Sequence, residues 1–195
     1  HTDCMEYMAG LPDKAFDLAI VDPPYGIGEH GGRRRTRGSK RTNGEAKGWD
    51  NERPSATYFA ELRRVSEAQV VWGGNYFGLG PTRCFLIWDK QQPEGVSFAS
   101  CEFAWTSFDA SAKTFYLRPQ GESRIHPTQK PIALYRWLLQ NYAKPGQHIL
   151  DTHLGSGSIA IACDIEGFDL VGCEIDADYI KAARHRLAVH QSAPR

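Results

Sequence analysis

His148-Ile-Leu-Asp151-Thr-His-Leu-Gly155-Ser-Gly157-Ser-Ile-Ala160 is the stretch that decides the fold. Residues His148 to Asp151 read as a buried strand, and helical spacing starts at Ser158 and runs to Glu166. The glycines between them let the backbone approach a ligand, and the helix N-terminus offers unpaired N–H groups. Asp169 to Glu174 reads as the next strand, which leaves Glu174 at its end, where a carboxylate can hold both hydroxyls of a ribose. This arrangement predicts a nucleoside-cofactor site. The spacing Gly155-x-Gly157-x-x-Ala160 also satisfies the dinucleotide fingerprint, so on its own it leaves a nicotinamide cofactor open.

Upstream, Phe16 to Val21 is a buried-strand candidate that stops at Asp22-Pro23-Pro24. Residues 54 to 67 have helical spacing after Pro54. Gln69 to Trp72, Cys84 to Asp89 and Cys101 to Phe108 read as strands, with Trp72 and Trp88 in the core. Pro131 opens a helix that carries Leu134, Trp137, Leu138 and Tyr142 on its apolar side, and a last helix runs from about Asp176 to His190. Strands separated by helices predict a doubly wound, mostly parallel α/β sheet. At 195 residues the chain reads as one domain, 1–195.

Lys+Arg and Asp+Glu both number 23, which excludes a uniformly basic, histone-like protein but not a local basic patch. One such patch exists. Residues 26 to 53 lack apolar periodicity and hold Arg33, Arg34, Arg35, Arg37, Lys40 and Arg41, a candidate clamp for a phosphate backbone. Five scattered cysteines without a CxxC pair predict neither a disulfide framework nor a metal site, and suit a reducing, cytoplasmic setting. The apolar runs are too short to span a bilayer, so no membrane partner is expected.

Asp22-Pro23-Pro24-Tyr25 stands at the carboxyl end of its strand, where ligands bind in open α/β sheets. An aromatic amine is a poor nucleophile because its lone pair is delocalised into the ring. Asp22 and the Pro23 carbonyl can accept hydrogen bonds from such an amino group and draw it towards tetrahedral geometry. Pro23 and Pro24 stiffen the turn, and Tyr25 offers a ring face to an extruded base.

Taken together, these motifs resemble the DNA amino-methyltransferases that use S-adenosylmethionine. Their order, Asp-Pro-Pro-Tyr first and the glycine turn second, is similar to the beta group, a circular permutation of the Rossmann-like methyltransferase fold. His126-Pro-Thr128-Gln-Lys130-Pro131, Val171-Gly-Cys-Glu174-Ile-Asp176 and Asp3-Cys4 resemble further family segments. The resemblance implies that Asp22, Pro23, Pro24 and Tyr25 handle the target base. It implies that Asp151, Gly155, Ser156, Gly157 and Glu174 cradle the cofactor, that Asp3 contacts its adenine, and that Thr128 and Lys130 hold its methionine carboxylate. No covalent cysteine intermediate is needed.

The resemblance further implies a DNA partner, a bacterial or phage setting, and adenine as the base, since Asp precedes Pro-Pro-Tyr. N4 of cytosine, an RNA or protein-amide acceptor, and an inactive nucleic-acid-binding module remain open. Three departures stand out. Thr152-His153 replaces the family's Pro-Phe. Only His1 and Thr2 remain to form a very short edge strand before Asp3. Only residues 109–125 remain for target recognition, which invites readout from the 26–53 loop or from a second subunit in a homodimer.

Overall fold

The structure is a computed structural model that describes residues 1–27, 52–93, 95, 99–119, 125–126 and 128–193. Seven strands form one sheet: β1 (Phe16–Val21), β2 (Ser66–Trp72), β3 (Phe85–Asp89), β4 (Cys101–Thr106), β5 (Lys113–Tyr116), β6 (His148–Asp151) and β7 (Asp169–Gly172). Five helices accompany them: α1 (Cys4–Ala9), α2 (Ala56–Val65), α3 (Ile132–Tyr142), α4 (Ser158–Glu166) and α5 (Ala177–Ser192). The strand order is β5-β3-β4-β2-β1-β6-β7. β4 runs antiparallel to both of its neighbours, and every other pairing is parallel. The mostly parallel α/β sheet is therefore present.

Alternation along the central strands sorts the core into two layers. Leu18, Ile20, Val70, Trp72 and Ile149 pack with Leu134, Leu138 and Ile159 of α3 and α4 on one face. Ala19, Val21, Val71 and Leu150 pack with Met8 of α1 and Tyr58, Phe59 and Leu62 of α2 on the other. Because both faces are covered, β1 reads as a continuous apolar run and not as an alternating one. Trp72 and Trp88 are core residues.

Local chemistry sets the element ends. Ser55 caps α2 by accepting the Tyr58 N–H, so that helix begins two residues after Pro54 and passes directly into β2 at Ser66. Gly157 and Gly167, both left-handed, bracket α4 at the positions expected from the sequence. The edge strand expected at His1 and Thr2 is absent. Thr2 does donate its N–H to the Glu174 carbonyl (3.1 Å), but the Asp3 carboxylate then accepts the Met5 and Glu6 N–H groups at 2.7 and 3.1 Å and turns the chain into α1.

Within the expected recognition segment 109–125, residues Lys113–Tyr116 form the sheet-edge strand β5, while 120–124 lie outside the described residues. Leu138 of α3 is fully buried against the sheet. Truncating it in L138A leaves a cavity that costs about 2–5 kcal/mol. Urea unfolding should show a lower midpoint with an unchanged slope.

Candidate functional site

From β1 the chain leaves through α2 to β2 on one side; from β6 it leaves through α4 to β7 on the other. The carboxyl ends of the neighbouring parallel strands β1 and β6 thus open a crevice at the point where the winding reverses. Asp22-Pro23-Pro24-Tyr25 leads out of β1, and Asp151 to Gly157 leads out of β6. The two turns are electrostatically in touch: burial first, with the Asp22 charge contributing, pushes the Asp151 carboxyl up to about 8.

The β1 turn is held by one buried cation. Lys130 Nζ, only 2% exposed, lies 2.5 Å from Asp22 Oδ2 and 3.0 Å from Glu102 Oε2 on β4, and it donates to Tyr25 OH at 3.3 Å. Tyr25 OH in turn donates to Asp22 Oδ1 at 2.6 Å. Burial opposes the charge of Lys130, but Asp22 and Glu102 outweigh it and keep the ammonium protonated. Burial raises the Asp22 carboxyl against the pull of Lys130, with the Glu102 charge adding to the rise. Burial also acts on Glu102, yet Lys130 and Lys90 hold it below the usual carboxylate range. Lys130, expected on the cofactor's methionine carboxylate, has its ammonium on Asp22 and Glu102 in this structure.

The Tyr25 ring is fixed as tightly as its hydroxyl. It stacks on Tyr76 with centroids 5.1 Å apart and planes at 18°. Gly73 lies so close beneath it that an added Cβ would fall 2.2 Å from the ring, and its φ of +70° suits glycine alone. From the far end of the 26–53 segment, Arg53 donates to the carbonyls of Tyr25 (3.1 Å) and Tyr76 (3.2 Å).

The β6 turn is built around Glu174. Its two carboxylate oxygens accept the N–H groups of Gly155 (2.8 Å) and Asp176 (2.9 Å), and each oxygen keeps a lone pair. Gly155 borders open space, since a Cβ there would meet nothing closer than 3.8 Å. Asp151 Oδ1 accepts the His153 N–H at 2.9 Å. Thr152 joins the Tyr58 hydroxyl (2.6 Å) to His153 Nδ1 (2.9 Å), and burial lowers that imidazole to about 4, so it is neutral. Gly157 packs on Ala183, 2.8 Å from where its Cβ would lie.

Ser156 is buried, with its hydroxyl on Ser158 (3.1 Å) and its carbonyl on Arg186 (2.6 Å). The Thr128 hydroxyl bonds His126 Nδ1 at 3.1 Å, and the His126 ring packs on Tyr179. Asp3, the α1 cap, approaches the β6 turn closely enough for its charge to act on His153.

The donor set discriminates between the two cofactors left open by the sequence. Asp3, Asp22 and Glu174 ring the crevice beside Asp151, whose carboxyl burial keeps protonated at neutral pH, and among the described residues its one buried cation is already shared by two carboxylates. This acidic lining disfavours a pyrophosphate and suits a nucleoside that carries sulfonium and ammonium groups. Arg33, Arg34, Arg35, Arg37, Lys40 and Arg41 lie outside the described residues. Glu102 and Arg53 escaped the sequence reading. A lone acid amid the apolar residues of Cys101 to Thr106 was the one available signal for Glu102.

Residues 71–185 match the DNA methylase family model N6_N4_Mtase. The Escherichia coli (strain K12) protein YubD is 25% identical over 207 residues, covering 98% of this chain and 90% of that protein. Type II methyltransferase M.HinfI of Haemophilus influenzae is 26% identical over 239 residues, covering 95% of this chain and 66% of that enzyme. Among solved structures, the M1.HpyAVI–SAM complex superposes with a TM-score of 0.63 at 20% identity, covering 96% of this chain and 97% of that one, which shows a shared fold.

Asp151 provides a pH test. Its folded-state pKa of about 8 exceeds the ordinary 3.8, so its contribution to stability is fully present below pH ~4 and is lost as pH rises towards 8. D151N keeps the acceptor for the His153 N–H without the titration. Between pH 5 and 8 its Tm should rise steadily relative to wild type, as read by thermal melts across that range; a constant difference counts against a buried, protonated Asp151.

Proposed function

The chain belongs to the N6/N4 DNA methylase family, and we propose that within it this protein transfers a methyl group from S-adenosylmethionine to N6 of adenine in DNA. The observation that carries this reading is the meeting of Asp22-Pro23-Pro24-Tyr25 with the Asp151–Gly157 turn across β1 and β6. When bound, S-adenosylmethionine supplies an electrophilic sulfonium methyl. Glu174 would take its ribose hydroxyls, Asp3 would contact its adenine, and Gly155 and Gly157 would let it lie against the backbone. Asp151 and Ser156 would shape the floor of the turn, and Thr128 would serve the methionine end.

The base site follows from the same geometry. Asp22 and the Pro23 carbonyl would accept the two hydrogens of the extruded amino group and free its lone pair for in-line attack. The Tyr25–Tyr76 ring pair would give the base an aromatic surface to rest against. One N–C bond forms as the S–C bond breaks, and the surplus amino proton leaves to water. Catalysis is then mainly positioning, and no covalent enzyme intermediate is needed.

Asp before Pro-Pro-Tyr is the feature that favours adenine over cytosine by resemblance. Sequence readout would come from the basic 26–53 segment, from residues 109–125, or from a second copy of the chain.

Labelled S-adenosylmethionine incubated with duplex DNA, followed by digestion to nucleosides, should give methylated adenine. Methylated cytosine would overturn the base assignment and keep the mechanism. Binding without transfer would point to an RNA or protein-amide acceptor, and failure to bind to an inactive module. D22A should lower turnover by roughly 100-fold or more while sparing cofactor affinity; an equal loss of both would refute the role given to Asp22.

A further inference from the structure

The charges beneath the β1 turn extend beyond the groups that would touch the base. Asp22, Lys130, Glu102 and Lys90 form a line of alternating sign. Lys130 joins Asp22 to Glu102 Oε2, and Lys90 Nζ lies 2.6 Å from Glu102 Oε1. Lys130 is the most buried member, its side chain 2% exposed against 17% for Asp22, 22% for Glu102 and 16% for Lys90. Glu102 is held in place by the ladder, opposite Trp88 in the β3–β4 register, and Lys90 lies over the Trp88 ring at 5.1 Å. No bond joins Glu102 to Asp22. It reaches the turn through the shared Lys130 and through its own charge, which raises the Asp22 carboxyl.

We propose that Glu102 is a positioning residue for the methyl transfer: by sharing the Lys130 ammonium with Asp22, it keeps the Asp22 carboxylate able to accept the hydrogens of the base amino group. This rests on the reading of the protein as a DNA amino-methyltransferase and adds a residue to it. Asp22 already accepts from Tyr25 on one oxygen and from Lys130 on the other. Left with Asp22 and Tyr25 as its only polar partners, the ammonium would turn its remaining hydrogens onto the same carboxylate and weaken it as an acceptor. Glu102, with its Oε2 3.0 Å from Nζ, competes for that cation. Lys90, on the second Glu102 oxygen, tempers the pull. The arrangement gives a central carboxylate whose ionisation is balanced by groups that never meet the substrate.

The groups facing Asp22 are Lys130, Tyr25, Glu102, Tyr135 and Asp151; those facing Glu102 are Lys130, Lys90, Asp22, Tyr25 and Tyr135. Removing the negative charge of Glu102 must make Asp22 easier to ionise, and removing the positive charge of Lys90 must make it harder. These opposite shifts test the charge coupling, and a loss of kcat with binding unchanged tests the positioning role.

The test uses full-length wild type, E102Q, which keeps an oxygen for Lys130, and K90Q, whose site is near the surface. The Asp22 carboxyl is followed by 13C NMR without cofactor, and kcat, KM for DNA and cofactor affinity are measured across pH. Asp22 should titrate at lower pH in E102Q and at higher pH in K90Q, with the acid limb of kcat moving likewise. The kcat of E102Q should fall by roughly 10–100-fold, with KM for DNA and cofactor affinity unchanged. An Asp22 titration that moves in neither variant overturns the proposal, as does a loss of kcat matched by a loss of cofactor affinity. If the titrations shift as stated but wild type transfers no methyl group to DNA, the coupling stands and the assigned reaction falls.

Discussion

One buried ammonium group underlies the organisation of the site. Lys130 arrives from the segment before α3, where it meets a carboxylate from the end of β1 and another from within β4. Three separate parts of the chain are thereby fixed to one point, over the Trp72 ring, which lies 5.3 Å from the cation. Removing one partner from so buried an ion pair typically costs about 3–5 kcal/mol, because the remaining charge is stranded. The geometry of the β1 turn is therefore guarded by stability as well as by function. The two prolines set the local path of that turn, and Lys130 sets where its side chains point.

The β6 turn is organised by a different principle. There the carboxylate of Glu174 is held by the backbone N–H groups of Gly155 and Asp176, not by an ammonium. Buried Asp151 and neutral His153 line the same turn, with Thr152 bridging to Tyr58 of α2. The Thr-His pair that departs from the family's Pro-Phe is accommodated by this polar relay, which satisfies groups that burial would otherwise penalise.

Much of this was legible in the sequence, and the limits have physical causes. α4 was readable to the residue because Gly157 and Gly167 mark both ends, and β6 because its four residues lead straight into the glycine turn. α1 was not read, since six residues give no periodicity; its sole signal was Asp3, a cap that already had another reading. β5 was hidden for a similar reason. Lys113–Tyr116 is short, exposed and at a sheet edge, where no apolar alternation is required. The turns of the site were visible as motifs, but the Glu102–Lys130–Asp22 cluster was not. Its members are far apart in the chain and meet only through the β2–β4 and β1–β2 pairings.

The pairing of β1 with β6 also governs when the site can exist. His148 N–H donates to Asp17 across a sequence separation of 131 residues, and Leu18 faces Ile149 in the same ladder. During synthesis, the first wall of the crevice must wait for all the residues between Val21 and His148 before its other wall is made. Contacts of such long range carry a large loop-closure cost and slow the folding reaction. Until β6 docks, β1 has an open edge. Over that interval the unpaired β1 edge is open to pairing with another chain, and the crevice between the two turns does not yet exist.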